Sequence, residues 1–433
     1  MRSFFAPAFL LSCFIASAQI IPAKLTALIE AEKVKVIAWR RDFHQFPELS
    51  NREVNTSAKV VAHLKSLGLE VKTGIATNGV VGILKGGKPG PVMAIRADMD
   101  GLPVTERNDL PFKSIQTATY NKQQVGVMHA CGHDSHMAIL MGTAEVLAKF
   151  KNDLPGTIVF IFQPAEEGAP DGEAAGAQQM VKEGVLNNPK VEVIFGLHIK
   201  SDIETGTIGY RAGGTMAATN GIKIIVKGKQ AHGAYPWLSV DPIVTAAQIV
   251  NNLQTIVSRN IDITENPAVV TIGTINGGIR LNIIPEQVEM LGTLRTFSKQ
   301  DEAFAIERIK TIATKTAEAA GATAEVIIPY NTHYPVTFND VALTEKMVPA
   351  LMAATNGKVK IKAPATGAED FSFYQEQVPG LFFFLGGLPA GKDPLKAPAH
   401  HTPDFFIDDS NLDVGVKAFC NLVFLYASHH KPK

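Results

Sequence analysis

The chain has 433 residues, 46% of them hydrophobic and 19% charged, and its 41 basic side chains balance 41 acidic ones. Such a composition supplies core for one large or two ordinary domains and excludes collagen, coiled coil and wholesale disorder. No basic block stands out, which removes the electrostatic footprint of a nucleic-acid binder.

Residues 1–18, MRSFFAPAFLLSCFIASA, carry a single charge at Arg2, then an apolar stretch and the small residues Ala16, Ser17 and Ala18. This is the layout of a cleaved export signal, so a periplasmic or extracellular protein is expected. Lipid anchoring at Cys13 is the less favoured variant, because the apolar stretch ahead of that residue is short. No later segment has the roughly 18 consecutive apolar residues that a membrane span needs. After cleavage 40 basic residues would face 41 acidic ones, and only Cys131 and Cys420 would remain. Two cysteines give no disulfide framework, export notwithstanding. Cys420, in the helical pattern VKAFCNLVFLY, reads as a core residue.

Residues 22–46 are expected to form a helix that stops before Pro47. Short apolar runs then alternate with helices: Val92–Ala97 as a strand, His133–Phe150 as a helix, Thr157–Phe162 and Val191–Ile199 as strands. Alternation of this kind points to an α/β layer with a mostly parallel sheet flanked by helices. Between about 205 and 330 the pattern changes to strand Ile222–Val226, helix 241–259, strands Ala268–Ile275 and Gln287–Phe297, helix 300–320 and strand Ala324–Tyr330. The order β-α-β-β-α-β is that of a ferredoxin-like α+β unit. Leu381–Leu385 returns to the first kind of material. The expected organisation is therefore a catalytic domain in two pieces, 19–204 and 331–433, with a smaller domain of 205–330 inserted between them.

The densest chemistry lies in MHACGHDSHMA, where His129, Cys131, His133 and His136 fall within eight positions at a helix start. A thiolate and an imidazole two residues apart can meet one ion only if the backbone between them is not yet helical, and Gly132 permits that. Thiolate with imidazole suits zinc, and manganese, cobalt or nickel less selectively. In FQPAEEG the strand ends on a loop bearing Glu166 and Glu167; neighbouring carboxylates can divide metal binding from proton transfer. His198 closes the run VEVIF, Asp98 and Asp100 end another strand in RADMDGLP, and His400 and His401 lie in a loop near the C-terminus. Strand ends and adjacent loops are where α/β sheets build sites. Together these residues make a two-ion hydrolytic centre plausible.

The segments RRDFHQFPELS, RADMDGLP, MHACGHD, FQPAEEG, GLHI, HGAYP, NIIPEQ, GTLRT, GAEDFSFY and HHTPDFF follow one another in this order. In this the chain resembles the metal-dependent amidohydrolases that include hippurate hydrolase, N-acyl-amino-acid amidohydrolase and plant auxin-conjugate hydrolases, within the wider aminoacylase and carboxypeptidase superfamily. The resemblance covers essentially everything after the leader. It implies two divalent ions (Mn²⁺, Zn²⁺, Co²⁺ or Ni²⁺), with Cys131 bridging them and His133, Glu167, His198 and a C-terminal histidine completing the ligands. His401 is favoured for the last place because it precedes the Thr-Pro step, with His400 as the alternate. It further implies Glu166 as general base, His232 as a lid histidine that reaches the substrate, often across a dimer, and Asn282 as a substrate contact. The inserted domain would serve as lid and dimerisation module, making a homodimer. Asp98 stands where the wider superfamily has a metal-binding histidine, so Asp98 and Asp100 are expected to support the ligands rather than to be ligands. The reaction implied is hydrolysis of N-acyl amino acids. Its rivals are a dipeptidase or carboxypeptidase acting on unblocked peptides, and a non-catalytic exported binding protein that kept the scaffold.

Overall fold

The computed structural model describes residues 20–170, 172–174 and 176–430. The expected export signal and Cys13 lie outside the described residues.

A large sheet of eight strands organises most of the chain. Its order is Glu70–Ile75, Gly79–Lys85, Pro155–Gln163, Lys88–Asp98, Val193–Glu204, Gly380–Leu388, Ile208–Tyr210, Val359–Ile361. The four middle strands, from Pro155–Gln163 to Gly380–Leu388, run parallel, and antiparallel pairings occur towards both margins. Parallel strands covered on both faces read as continuous apolar runs, which is why VMAI at 92–95 and FFFL at 382–385 stand out in the sequence. One face packs on the helices Ala23–Gln45, His133–Lys149, Val341–Ala354 and Asp413–His429. The other is covered by Gly176–Lys182 and Ser372–Gln375, through Ala177, Met180, Phe371 and Tyr374. Cys420 is fully buried in the first of these cores, as its helical pattern predicts.

The smaller layer is an antiparallel sheet in the order Val269–Gly277, Gln287–Thr296, Ala218–Lys227, Thr323–Ile327, extended at one end by His333–Tyr334. Helices Pro242–Thr255 and Lys299–Ala319 cover one face. Ile222, Ile224 and Val226 alternate inward from the central strand against Ala246, Ile249, Ala305 and Ile309. This is the ferredoxin-like arrangement, with its own core. Asp241 caps the first helix by accepting from the Ile243 and Val244 amides, with Pro242 at the first helical position. The second helix starts at Ser298, whose hydroxyl accepts from the Asp301 amide.

Both expected boundaries of the inserted unit shift: His333–Tyr334, beyond residue 330, pairs with the small sheet. Ile208–Tyr210 lies beyond residue 205 yet pairs inside the large sheet, between Gly380–Leu388 and Val359–Ile361. The small sheet begins at Ala218. Three residues are too few to show a strand period, so nothing local marks this return.

Candidate active site

Three parallel strands set the floor of the site. Asp98 pairs in register with Gln163, and Arg96 with Gly196, which puts Asp98, Gln163 and His198 at one level across the sheet. The helix His133–Lys149 starts above this level after Gly132, whose φ is +98°. A Cβ at Gly132 would lie 2.3 Å from Ile199 Cγ2, so this turn admits only glycine and brings Cys131 and His133 round to the same side.

The thiol of Cys131 is central. Its Sγ lies 3.3 Å from His198 Nε2, 3.3 Å from His401 Nε2 and 3.7 Å from His400 Nδ1. Cys131 also clusters with His133 and Glu167, one ligand atom of each lying within 4.8 Å of the others. His401 Nε2 is 3.0 Å from Glu167 Oε1. The histidine tautomers are set from outside. His133 Nδ1 donates to the Asp100 carbonyl at 2.9 Å and His198 Nδ1 to the Ile199 carbonyl at 2.6 Å. Both Nε2 atoms are thereby left as acceptors facing the thiol cluster, and His133 Nε2, fully buried, makes no hydrogen bond. Such an orphaned acceptor is costly without a partner, and a cation is the partner this donor set fits.

Charge in the cluster points the same way. Burial and the Glu167 carboxylate push the Cys131 thiol above its usual value, so a thiolate here needs compensating positive charge. Hydrogen bonds to Cys131 and Glu167 raise His401 to about 10.

His400 behaves differently from His401. Its Nε2 accepts the Ser201 amide at 3.3 Å, which leaves its proton on Nδ1, directed at Cys131. An imidazole in that state donates to the sulfur, although a ligand atom of His400 also lies within 4.8 Å of those of Cys131 and His198. His136 is similarly occupied: Nδ1 meets Asp98 Oδ1 at 2.6 Å and Nε2 accepts the Ile199 amide at 2.8 Å. His129 is buried, falls outside every cluster of ligand atoms, and is pushed by burial down to about 4. Of the four potential ligands in MHACGHDSHMA, Cys131 and His133 meet in the thiol cluster, His136 groups with Asp98 and His133 behind it, and His129 stands apart.

Asp98 and Asp100 support the cluster. Asp98 takes the Arg96 guanidinium at 2.6 Å besides His136. The carboxylate of Asp100 accepts from the Glu166 amide at 3.1 Å, the Glu167 amide at 3.0 Å and the Ser50 hydroxyl at 2.8 Å. The same loop is held at Ala165, whose φ is +51° and whose amide donates to Glu53 at 2.9 Å. Tyr334 donates from its hydroxyl to the Glu166 carbonyl at 2.8 Å. Burial, then the carboxylates of Glu369, Glu167 and Asp370, hold Glu166 well above the usual range. A carboxylate so placed takes up a proton readily.

The site opens into a cavity of about 540 Å³ lined by Cys131, Glu166, Glu167, His198 and His401, and from the small layer by Thr219 and Arg295. Arg295 lies in GTLRT, and nothing in the sequence alone gives it a role. Arg295 is partly buried, which lowers its pKa, and makes no ion pair among the described residues. His232 and Asn282 are not brought to this cavity. His232 is exposed, pairs with Ile283, and accepts the Ala234 amide through Nδ1 at 3.0 Å. Asn282 neighbours it, its carbonyl accepting the Gly233 amide at 2.8 Å.

The family model described as Peptidase family M20/M25/M40 matches residues 94–424. The chain belongs to this family. A Bacillus subtilis N-acetylcysteine deacetylase is 39% identical over 92% of this chain and 98% of its own length. Thermostable carboxypeptidase 1 of Saccharolobus solfataricus is also 39% identical, over 91% of this chain and 95% of its own. Among solved structures, a Bacillus subtilis dinuclear metal binding peptidase of the M20 family is 36% identical, covers 92% of this chain and 99% of its own, and superposes with a TM-score of 0.77. The chain is thus a metal-dependent hydrolase of the M20/M25/M40 family, and two groups of potential ligands, Cys131 with His198 and His400 and Cys131 with His133 and Glu167, meet at the thiol.

Proposed function

We propose that the enzyme hydrolyses the amide bond of N-acyl amino acids, releasing a carboxylic acid and a free amino acid. The observation that carries this reading is the thiol of Cys131 at the junction of His133, Glu167, His198 and His401, beside the buried carboxyl of Glu166. Two divalent ions would be held there, with Cys131 shared between them; Mn²⁺, Zn²⁺, Co²⁺ and Ni²⁺ all suit the donor set. When bound, they supply Lewis acidity to water and to the scissile carbonyl.

The chain's own residues supply the remainder. Glu166 takes a proton from the attacking water and passes it to the leaving amine. Asp100, through the two amides it accepts, keeps the Glu166–Glu167 loop in place. Arg295 offers an unpaired guanidinium to the substrate carboxylate across the cavity. His232 and Asn282 would act from a second copy. His232 stands beside exposed Tyr235, Trp237 and Leu238, and Ile279 and Leu281 are also fully exposed. We infer a homodimer formed through this apolar surface, with His232 of the partner subunit completing the cavity. The leader pattern supports export of the mature enzyme, and no described helix is long and apolar enough to cross a membrane.

A second reading, cleavage of unblocked peptides, is favoured by the likeness to a carboxypeptidase. One panel separates the two: hippurate, N-acetyl and indole-acetyl amino acids, and free dipeptides, each with and without chelator. Chelator-sensitive cleavage of the acylated compounds is expected, while cleavage confined to dipeptides would transfer the enzyme to the second reading. Glu166→Gln should lower kcat by about 10²–10⁴-fold with bound metal unchanged; full activity in that variant would dismiss Glu166 as the base.

A further inference from the structure

The cavity over the metal cluster carries a second cation that the reaction does not use. Lys200 follows His198 by two residues on the strand Val193–Glu204, and strand alternation puts both side chains on the same face. Lys200 and His400 line both the central cavity and a side pocket of about 350 Å³, so the two spaces meet at these residues. The side pocket is walled by Ala363, Ala365, Ala397, Ala399 and Phe384. The Lys200 ammonium sits 5.3 Å from the centre of the Phe384 ring. Asp202, the acidic side chain of this pocket, lies 3.7 Å from Lys362. Lys200 makes no ion pair or side-chain hydrogen bond among the described residues, and neither does Arg295. The two cations stand on different elements, one on the large sheet and one on the small sheet, with the thiol cluster in the same lining.

An N-acyl amino acid with one carboxylate satisfies only one of them. A partly buried ammonium without a counter-charge favours substrates that bring one. We propose that Lys200 is a specificity residue that binds a second carboxylate on the substrate, so that the enzyme prefers doubly anionic N-acyl amino acids. This rests on the hydrolytic reading above. The second carboxylate can come from the side chain of the amino acid or from the far end of a dicarboxylic acyl group, and the two sources are separable by experiment.

The test uses the metal-reconstituted full chain and pairs of substrates that differ in that one charge. N-acetylglutamate against N-acetylglutamine isolates the side-chain source; N-succinylalanine against N-butyrylalanine isolates the acyl source. In at least one pair the ratio of kcat/KM values, charged over uncharged, should favour the charged substrate. Lys200→Met should reduce that ratio about tenfold or more, mainly through KM, and Lys200→Arg should largely restore it. The pair that responds identifies the source. Equal ratios in wild type and Lys200→Met for both pairs, with the uncharged members still cleaved, would overturn the role of Lys200 and leave the hydrolytic reading standing. If the wild type cleaves neither these compounds nor the hippurate and indole-acetyl conjugates above, the hydrolytic reading fails, and calorimetric binding of succinate against butyrate still decides on Lys200. Succinate should bind about tenfold more weakly to Lys200→Met; equal affinities would overturn the proposal there too.

Discussion

The backbone carbonyl of Asp100 accepts the Nδ1 proton of His133 at 2.9 Å, and through that bond fixes which ring nitrogen faces Cys131. The carboxylate of the same residue accepts the amides of Glu166 and Glu167. One residue outside the thiol cluster thus orients His133, Glu167 and Glu166, the proposed ligands and base. In Asp100→Ala the carbonyl survives but the loop loses its anchor. Metal affinity, measured by competition with a chromophoric chelator, should fall about 10–100-fold, with kcat falling alongside. Unchanged affinity would show that the loop is held without Asp100.

The two adjacent C-terminal histidines should separate cleanly. His401→Ala removes a side chain lying between Cys131 and Glu167, and metal bound per subunit should drop after dialysis. His400→Ala removes only a donor to the thiolate, because its Nε2 is occupied by the Ser201 amide. Elemental analysis of both variants decides the matter; loss of metal from His400→Ala with retention in His401→Ala would reverse the assignment.

Arg96 is the largest buried commitment of charge near the site. It meets Asp98 at 2.6 Å, Asp370 at 2.7 Å and Glu369 at 3.0 Å, and it is 1% exposed. Arg96→Met would leave these buried carboxylates without their counter-ion. Removing one partner of such a cluster typically costs about 3–5 kcal/mol, which urea unfolding of the metal-free protein would measure. By contrast Arg107→Ala, which breaks an exposed pair with Asp404, should leave the midpoint unmoved. Similar midpoints for the two variants would refute the energetic ranking.

His44 gives stability a pH dependence on the alkaline side. Burial and Arg40 lower its pKa, but the hydrogen bonds to Asp134 at 2.8 Å and Glu106 at 3.2 Å outweigh them and raise it above 6.5. A group raised on folding contributes fully below its unfolded value, and the contribution fades as pH rises through the folded value. The stability advantage of wild type over His44→Gln should therefore be greatest near pH 6 and shrink towards pH 9. A difference that stays constant over this range would rule out the imidazolium.

Much of this was legible in the sequence, and the gaps have physical causes. The strands at 92–97, 157–162 and 381–385 are buried on both faces, so their apolar runs announce themselves. The cluster at Cys131 is legible because four potential ligands crowd a helix start. Which of them turn inward is not: His136 is diverted by Asp98 and the Ile199 amide, partners set by tertiary packing. Arg295 and Lys200 were missed because a lone cation in a strand looks like any solvated charge. Only the lack of a carboxylate partner, visible in three dimensions, sets them apart. Even so, Lys200 could have been flagged from its spacing of two from His198.

The order in which the parts arrive along the chain has a consequence for maturation. Cys131 and His133 belong to the first third of the sequence, whereas His401 follows the strand Gly380–Leu388, which sits inside the large sheet beside Val193–Glu204. The ligand set cannot close until that strand has slotted in, after the whole inserted layer has been synthesised. Until then the thiol has no cation to shield it and is open to oxidation. With the ligand set proposed above, metal loading would be complete only once His401 stands beside Cys131 and Glu167, so the metal content of a preparation would report how many molecules carry that loop in place.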